Sequence, residues 1–289
     1  MPFKIQADPL SIHELKSSFD NATDYLYSKG VSRGNARIEA CKNFLDAISS
    51  RNGFESNNID TMQLWRETLD IAWVISVARN HELAPPPELL SKCFDGRPVE
   101  DYHHETGRSY FLQLRAAIYF LRVGYDVQLD NDCDVIAIRK RRRVFVECKR
   151  LYSENKAQKR IRKCYGQLEK RLALADTRHK NLGLAWIDPS AAMQKHFLGY
   201  SAYSDAGVRH AARMDLVYFW KRWISGGEYR GIDKRIFALV LQMVSPGWVG
   251  EKEIYRPGIL SYVIPAHGRI GFLQLLRSRR LLDERGCPV

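Results

Sequence analysis

The chain has little sulfur and no long apolar run. Six cysteines, at positions 41, 93, 133, 148, 164 and 287, are scattered over 289 residues with no C-x-x-C pair and no zinc-ligand spacing. A disulfide scaffold and a structural zinc site are therefore not expected, whereas reduced thiols and a cytoplasmic location are. The longest apolar stretches, 71–78 and 236–244, fall well short of the roughly 18 residues that cross a bilayer, so no membrane partner is expected. The opening MPFKIQADPL has no apolar segment of the signal-peptide kind. Neither GxxxxGK[ST] nor GxGxxG occurs, which leaves ATP and dinucleotides without a phosphate cradle.

Negative charge is scarce as well. Against 45 Lys and Arg stand 33 Asp and Glu, a net charge of +12. The excess is local: residues 139–180 hold 16 basic and four acidic side chains, 16 − 4 = +12, while residues 1–138 hold 14 and 20, or −6. A segment that carries a charge equal to the whole protein's net charge points to a polyanionic partner, nucleic acid first. The plainer alternative is a solvated basic face.

What is present reads as two parts with a boundary near residue 100. Residues 1–100 are expected to form a helical domain. A first helix starts at Asp8-Pro9, carries Leu15, Phe19 and Ala22 at helical spacing, and ends at Gly30. Two more helices are expected over 36–48 and 62–78. Residues 101–289 change character. An amphipathic helix over 107–123 stops at Gly124. Short β-rich runs follow at 125–129, 135–138 and 144–148, then a basic helix over 156–175 and a strand over 182–187. A helix over 208–224, strands over 236–244 and 259–264, and a last helix over 271–282 complete the reading. That order predicts an α/β domain with a mixed sheet flanked by helices. The aromatic run Tyr218, Phe219, Trp220 and Trp223 is read as core rather than as a base-stacking platform.

The informative stretch is DNDCDVIAIRKRRRVFVECKR, residues 130–150. With residues 139–142 as a four-residue hairpin loop, paired positions sum to 281, so Asp134 lies opposite Glu147 and Ile136 opposite Phe145. Directly opposed Cβ atoms sit about 4.5–5.5 Å apart. Strand alternation puts Glu147 and Lys149 on one face, with Cys148 on the other as a core thiol. Two carboxylates and an ammonium on one face suit phosphodiester hydrolysis. The carboxylates can hold Mg²⁺, a hard cation that takes oxygen ligands, and the ammonium can meet charge that builds on the phosphate. A slip of one residue in the register would turn Asp134 away. E-x-K occurs three times, at Glu14, Glu147 and Glu154. Only Glu147 lies in a β-run that follows an Asp-headed β-run.

Asp134 followed by Glu147-Cys148-Lys149 resembles the PD-(D/E)xK nuclease superfamily, the restriction-endonuclease-like fold. The helix ending in Gly124-Tyr125, the Asp134-Val135 pair and the glutamine in RKCYGQLEKRL, Gln167, match its surroundings. The resemblance covers roughly residues 105–190. It implies a divalent-metal nuclease, most simply a DNA endonuclease using Mg²⁺ with Mn²⁺ as a substitute. In it Asp134 and Glu147 bind metal, Lys149 assists hydrolysis and Gln167 supports the site. Many members add a glutamate on the first helix. Here that region reads Phe111-Leu112-Gln113, so Glu105 or Gln113 is left to complete the site. The resemblance also implies DNA rather than RNA as partner and, by family habit, a place in bacterial or phage-linked defence. The alternative is a nucleic-acid-binding protein on a nuclease fold that does not cleave.

Expected phosphate contacts are Arg139, Lys140, Arg141, Arg142 and Arg143 at the hairpin, then Arg150, Lys156, Lys159, Arg160, Arg162 and Lys163. The N-terminal helices are left for DNA, a partner protein or a second copy in a homodimer. His103-His104-Glu105 reads as an exposed loop.

Overall fold

The computed structural model describes residues 2–4, 12–51, 59–83, 85–98, 106–129, 133–193, 200–202, 204–225, 231–249 and 254–265. Three helices come early: α1 (Ile12–Ser28), α2 (Ala36–Arg51) and α3 (Ile59–Asn80), followed by the short α4 (Pro87–Cys93). Then come α5 (Thr106–Arg122), β2 (Asp126–Gln128), β3 (Val135–Arg139), β4 (Arg142–Arg150), α6 (Ala157–Leu174), β5 (Lys180–Asp188) and α7 (Ser190–Met193). The chain continues through β6 (Tyr200–Ala202), α8 (Asp205–Phe219), β7 (Ile236–Val249) and β8 (Ile254–Pro265), with β1 (Pro2–Lys4) at the far N-terminus. The expected start at Asp8-Pro9 and the expected helix over 271–282 lie outside the described residues. β1, α4, α7 and β6 have no counterpart in the sequence reading; all are seven residues or shorter, too short to show a period.

One mixed sheet of eight strands organises the molecule, in the order β1-β8-β7-β5-β4-β3-β2, with β6 also paired to β7. β4, β5 and β7 are parallel neighbours, whereas β2–β3, β3–β4, β7–β8 and β1–β8 are antiparallel. A parallel centre needs helical crossovers, which cover both of its faces. That explains why β4 is buried from Val144 through Cys148 rather than at alternate positions.

Alternation sorts the two faces. Val144, Val146 and Cys148 join a core that also contains Leu15, Ile38, Trp65, Ile75 and Leu114 from α1, α2, α3 and α5. Phe145 turns the other way and joins Ile161, Leu168, Leu172, Leu216 and Phe219 from α6 and α8. The N-terminal helices thus share their core with the sheet, and the boundary near residue 100 does not divide that core.

Two glycines shape the approach to the site. Gly124, at φ +76°, follows the end of α5, where the N–H of Tyr125 returns to the carbonyl of Phe120 at 3.0 Å. This is the helix-stop geometry that glycine tolerates best. Gly107 faces the turn after α4 so closely that a Cβ there would lie 2.1 Å from the Asp95 carbonyl oxygen.

α3 is buried almost all round, yet it carries Glu67 and Asp70. Both are neutralised by partners distant in sequence. Arg37 Nε donates to Glu67 Oε1 at 2.6 Å and Arg108 Nε to Oε2 at 3.0 Å. Arg115 pairs with Asp70 and, at 3.4 Å, with Asp188, which also meets Arg150 at 3.5 Å. Burial would raise the Asp188 carboxyl, but Arg150 and Arg115 outweigh it and hold it at about 2. Burial wins at Asp70, whose carboxyl is pushed up despite Arg115. This ion-pair group ties α2, α3 and α5 to the ends of β4 and β5. Its only sequence signal is the presence of charges inside an apolar helix.

Candidate active site

The register of the β3–β4 hairpin sums to 281, with Ile136 opposite Phe145 and Arg139 opposite Arg142. The loop is shorter than expected: Lys140 and Arg141 alone make the turn, because Arg139 and Arg142 still pair. Lys140 bears the strain of so tight a turn at φ +55°, a region unfavourable for residues with a Cβ.

Asp134 lies just before β3 and closes its end. Its Oδ2 accepts the backbone N–H of Cys148 at 2.6 Å, and its Oδ1 accepts from Gln113 Nε2 of α5 at 2.7 Å. Lys149 Nζ reaches Glu147 Oε2 at 3.2 Å and Asp134 Oδ2 at 3.6 Å. Asp134, Glu147 and Lys149 therefore converge, and Gln113 joins them on the side where the sequence lacks a helix glutamate. Asp134 and Lys149 retain 18% exposure, whereas Glu147 is 2% exposed.

The electrostatics follow from that burial. Desolvation, then the neighbouring Asp134 carboxylate, pushes the Glu147 carboxyl up to about 7, although Lys149 and Arg171 act against the rise. Burial alone would lower the Lys149 ammonium, but Asp134 and Glu147 outweigh it and hold it above its ordinary value. The site holds a crowded pair of acids with one cation between them.

α6 packs across this site. Cys164 Sγ lies 3.5 Å from the Glu147 carbonyl, and Arg171 acts electrostatically on the Glu147 carboxylate. Gln167 is three residues beyond Cys164 and four before Arg171, on the same helical face. Its Oε1 is buried without a hydrogen-bond donor. A carbonyl oxygen is a ligand type that suits a hard divalent cation. Glu105, Asp130, Asp132 and the His103-His104 pair lie outside the described residues. Among the described residues no group of three His, Cys, Asp or Glu side chains gathers as a metal site.

The basic residues separate into two sets. Lys156, just before α6, and Lys159, Arg160, Arg162 and Lys163 along it are exposed. Lys140 and Arg141 are exposed at the hairpin, but six residues of strand, about 20 Å at 3.3 Å per residue, separate Arg141 from Glu147. The hairpin is therefore not at the edge of the carboxylate site. Arg139 donates to the Val123 carbonyl at 3.0 Å, and Arg143 pairs with Asp176 at 2.7 Å. Arg142 is half-buried. Arg150 contradicts the sequence reading: it is 5% exposed and faces Asp188 in the interior, because even-numbered positions of β4 turn toward α3 and α5.

The aromatic run is split as well. Phe219 is buried as expected, but Tyr218 is 59% exposed. Comparison of the chain with family models, curated proteins and solved structures finds no match. No helix of the described residues is long and apolar enough to cross a membrane.

Proposed function

We propose that this protein is a divalent-metal-dependent nuclease of the PD-(D/E)xK kind, acting on DNA. The observation that carries the reading is that Lys149 Nζ lies 3.2 Å from Glu147 and 3.6 Å from Asp134 at the end of β4. Asp134 and Glu147 would hold Mg²⁺ or Mn²⁺, and Gln167, on the α6 face that carries Cys164 and Arg171, would support the site. When bound, the ion supplies a water of lowered pKa and neutralises charge on the phosphate. The side chains have separate tasks. Gln113 and the Cys148 N–H fix the Asp134 carboxylate in one orientation. Lys149 holds its proton across the neutral range and meets the charge that grows on the phosphoryl oxygens. Water would form a new P–O bond as one ester P–O bond breaks, and the proton the water gives up would balance the one the leaving alkoxide takes up. The exposed basic face of α6 would track the DNA backbone. The free, buried thiols at Cys41, Cys93, Cys133, Cys148 and Cys164 accord with a reducing, cytoplasmic setting.

A second reading, nucleic-acid binding without cleavage, draws on one observation. Gln113, a neutral side chain, occupies Asp134 Oδ1 where a third carboxylate would strengthen a metal site. The deciding test is cleavage of plasmid and single-stranded DNA with Mg²⁺, Mn²⁺ or EDTA. Metal-dependent cutting should fall by about 100-fold or more in Glu147→Gln and Lys149→Ala. Salt-sensitive binding with no cutting under any metal would favour the second reading. Cutting that survives both substitutions would place the activity elsewhere.

A further inference from the structure

Beyond the carboxylate site, Glu154, Met193, Asp215, Tyr218, Phe219, Arg222 and Trp223 line an open pocket with a volume of about 400 Å³. That size lies within the range of small-ligand sites. Its walls are unusual for a soluble surface. The Arg222 guanidinium lies 5.9 Å from the centre of the Tyr218 ring and 5.3 Å from that of Trp223. One cation thus bridges two aromatic rings, one of which is more than half exposed.

Helical spacing accounts for half of this: Arg222 lies four residues beyond Tyr218, on nearly the same helical face, but Trp223 would stand about 100° from Arg222 in a regular helix. The chain instead leaves α8 through a π turn over Trp220–Ile224, closed by the N–H of Ser225 on the Trp220 carbonyl at 2.8 Å. Trp223 and Arg222 both lie in this turn, and Arg222 reaches both rings. Such turns are rare and frequent at functional sites.

Location supplies the link to the site. Glu154 follows β4 by four residues, and Met193 follows β5 by five. The pocket therefore opens beyond the carboxyl ends of two parallel strands, where α/β sheets bind ligands. β4 runs toward that same edge carrying Glu147 and Lys149. Phe219, in the pocket wall, belongs to the core on the side of the sheet that Phe145 faces.

We propose that this pocket takes an unpaired nucleobase of a single-stranded or locally opened nucleic acid. This deepens the nuclease reading and rests on it for its biological sense. The aromatic faces offer stacking, which every base accepts. Arg222 adds a cation suited to a polyanion, and the Glu154 carboxylate can accept from an exocyclic amino group. Duplex DNA, whose bases are stacked and paired, does not enter.

The test is binding by the full-length protein in EDTA, read by fluorescence anisotropy. The probes are a labelled single-stranded oligonucleotide, the same strand carrying abasic sites, and its duplex. Tyr218→Ala and Trp223→Leu should weaken single-strand binding about 5- to 150-fold, the range of one lost base stack. Duplex affinity should stay within about twofold, as expected where phosphate contacts dominate. Tyr218→Phe, which keeps the ring, should bind like wild type, as should Leu174→Ala, an exposed apolar position on α6. Abasic substitution should weaken wild type and leave Tyr218→Ala unchanged. Wild-type single-strand affinity in Tyr218→Ala, or equal losses for strand and duplex, overturns the proposal. So does a wild type that binds no single strand. Cleavage of DNA by Tyr218→Ala with undiminished single-strand binding would sink the pocket and spare the nuclease. Loss of single-strand binding in Tyr218→Ala beside a wild type that never cuts would do the reverse.

Discussion

Glu147 makes stability depend on pH in a way that can be measured. In the folded chain its carboxyl rises from an ordinary 4.5 to about 7, because burial and then Asp134 disfavour the charged form. A raised acid binds its proton more tightly when folded, so its stabilising effect is complete below pH 4.5 and is lost as pH climbs through 7. At 1.36 kcal/mol per pKa unit, the full loss is about 3 kcal/mol. Glu147→Gln keeps the shape and removes the titration. In urea unfolding with EDTA, the stability of Glu147→Gln relative to wild type should increase by about 2–3 kcal/mol between pH 5 and pH 8, then level off. Lys149 does not confuse this window, since its ammonium titrates above its ordinary value. On the metal-dependent nuclease reading, millimolar Mg²⁺ should flatten the wild-type decline, because a cation on the carboxylate would replace the proton. A constant difference between the two proteins across that range would refute the burial argument. A variant that loses ground as pH rises would refute its sign.

Other expectations are independent of the nuclease reading. Arg115→Met leaves the buried Asp70 and Asp188 short of a cation and should lower stability by about 3–5 kcal/mol in urea unfolding, unlike the usual surface arginine. Gly107→Ala forces a Cβ against the Asp95 carbonyl, and a drop of about 1–3 kcal/mol should appear as a lower melting temperature. Lys140→Gly relieves a left-handed backbone at φ +55° and should raise stability by up to about 1 kcal/mol; no gain would show that the turn is held by other contacts.

Much of the site was legible because it is local. Asp134, Glu147 and Lys149 lie within sixteen residues, 134–149, and hairpin pairing has a period of two, so a single assumed register placed all three. Gln113 was legible only as a gap, a glutamine where a carboxylate was sought. Its hydrogen bond to Asp134 needs α5 to cross the end of β3. The long helices were readable from apolar spacing within a residue or a few. β1 and β6, three residues each, exist through pairing with β8 and β7, and a segment so short carries no period of its own.

Arg150 shows where composition misleads. It ends a basic stretch and reads as a phosphate contact, but its strand parity directs it inward onto Asp188. The aromatic run fails in the opposite direction. A run of aromatics implies burial, yet α8 buries Ala212, Leu216 and Phe219 on one face and so turns Tyr218 to the surface.

The amino-acid sequence by itself determined the α/β character, the hairpin register and the identity of the three converging side chains, since these depend on short-range periodicity and on chemistry carried by neighbours. The tertiary structure alone decided which basic residues face solvent and that the N-terminal helices share the sheet's core. It also decided that Glu147 is buried enough to hold a proton near neutral pH. Those depend on which surfaces meet across the sheet, and no spacing along the chain encodes that.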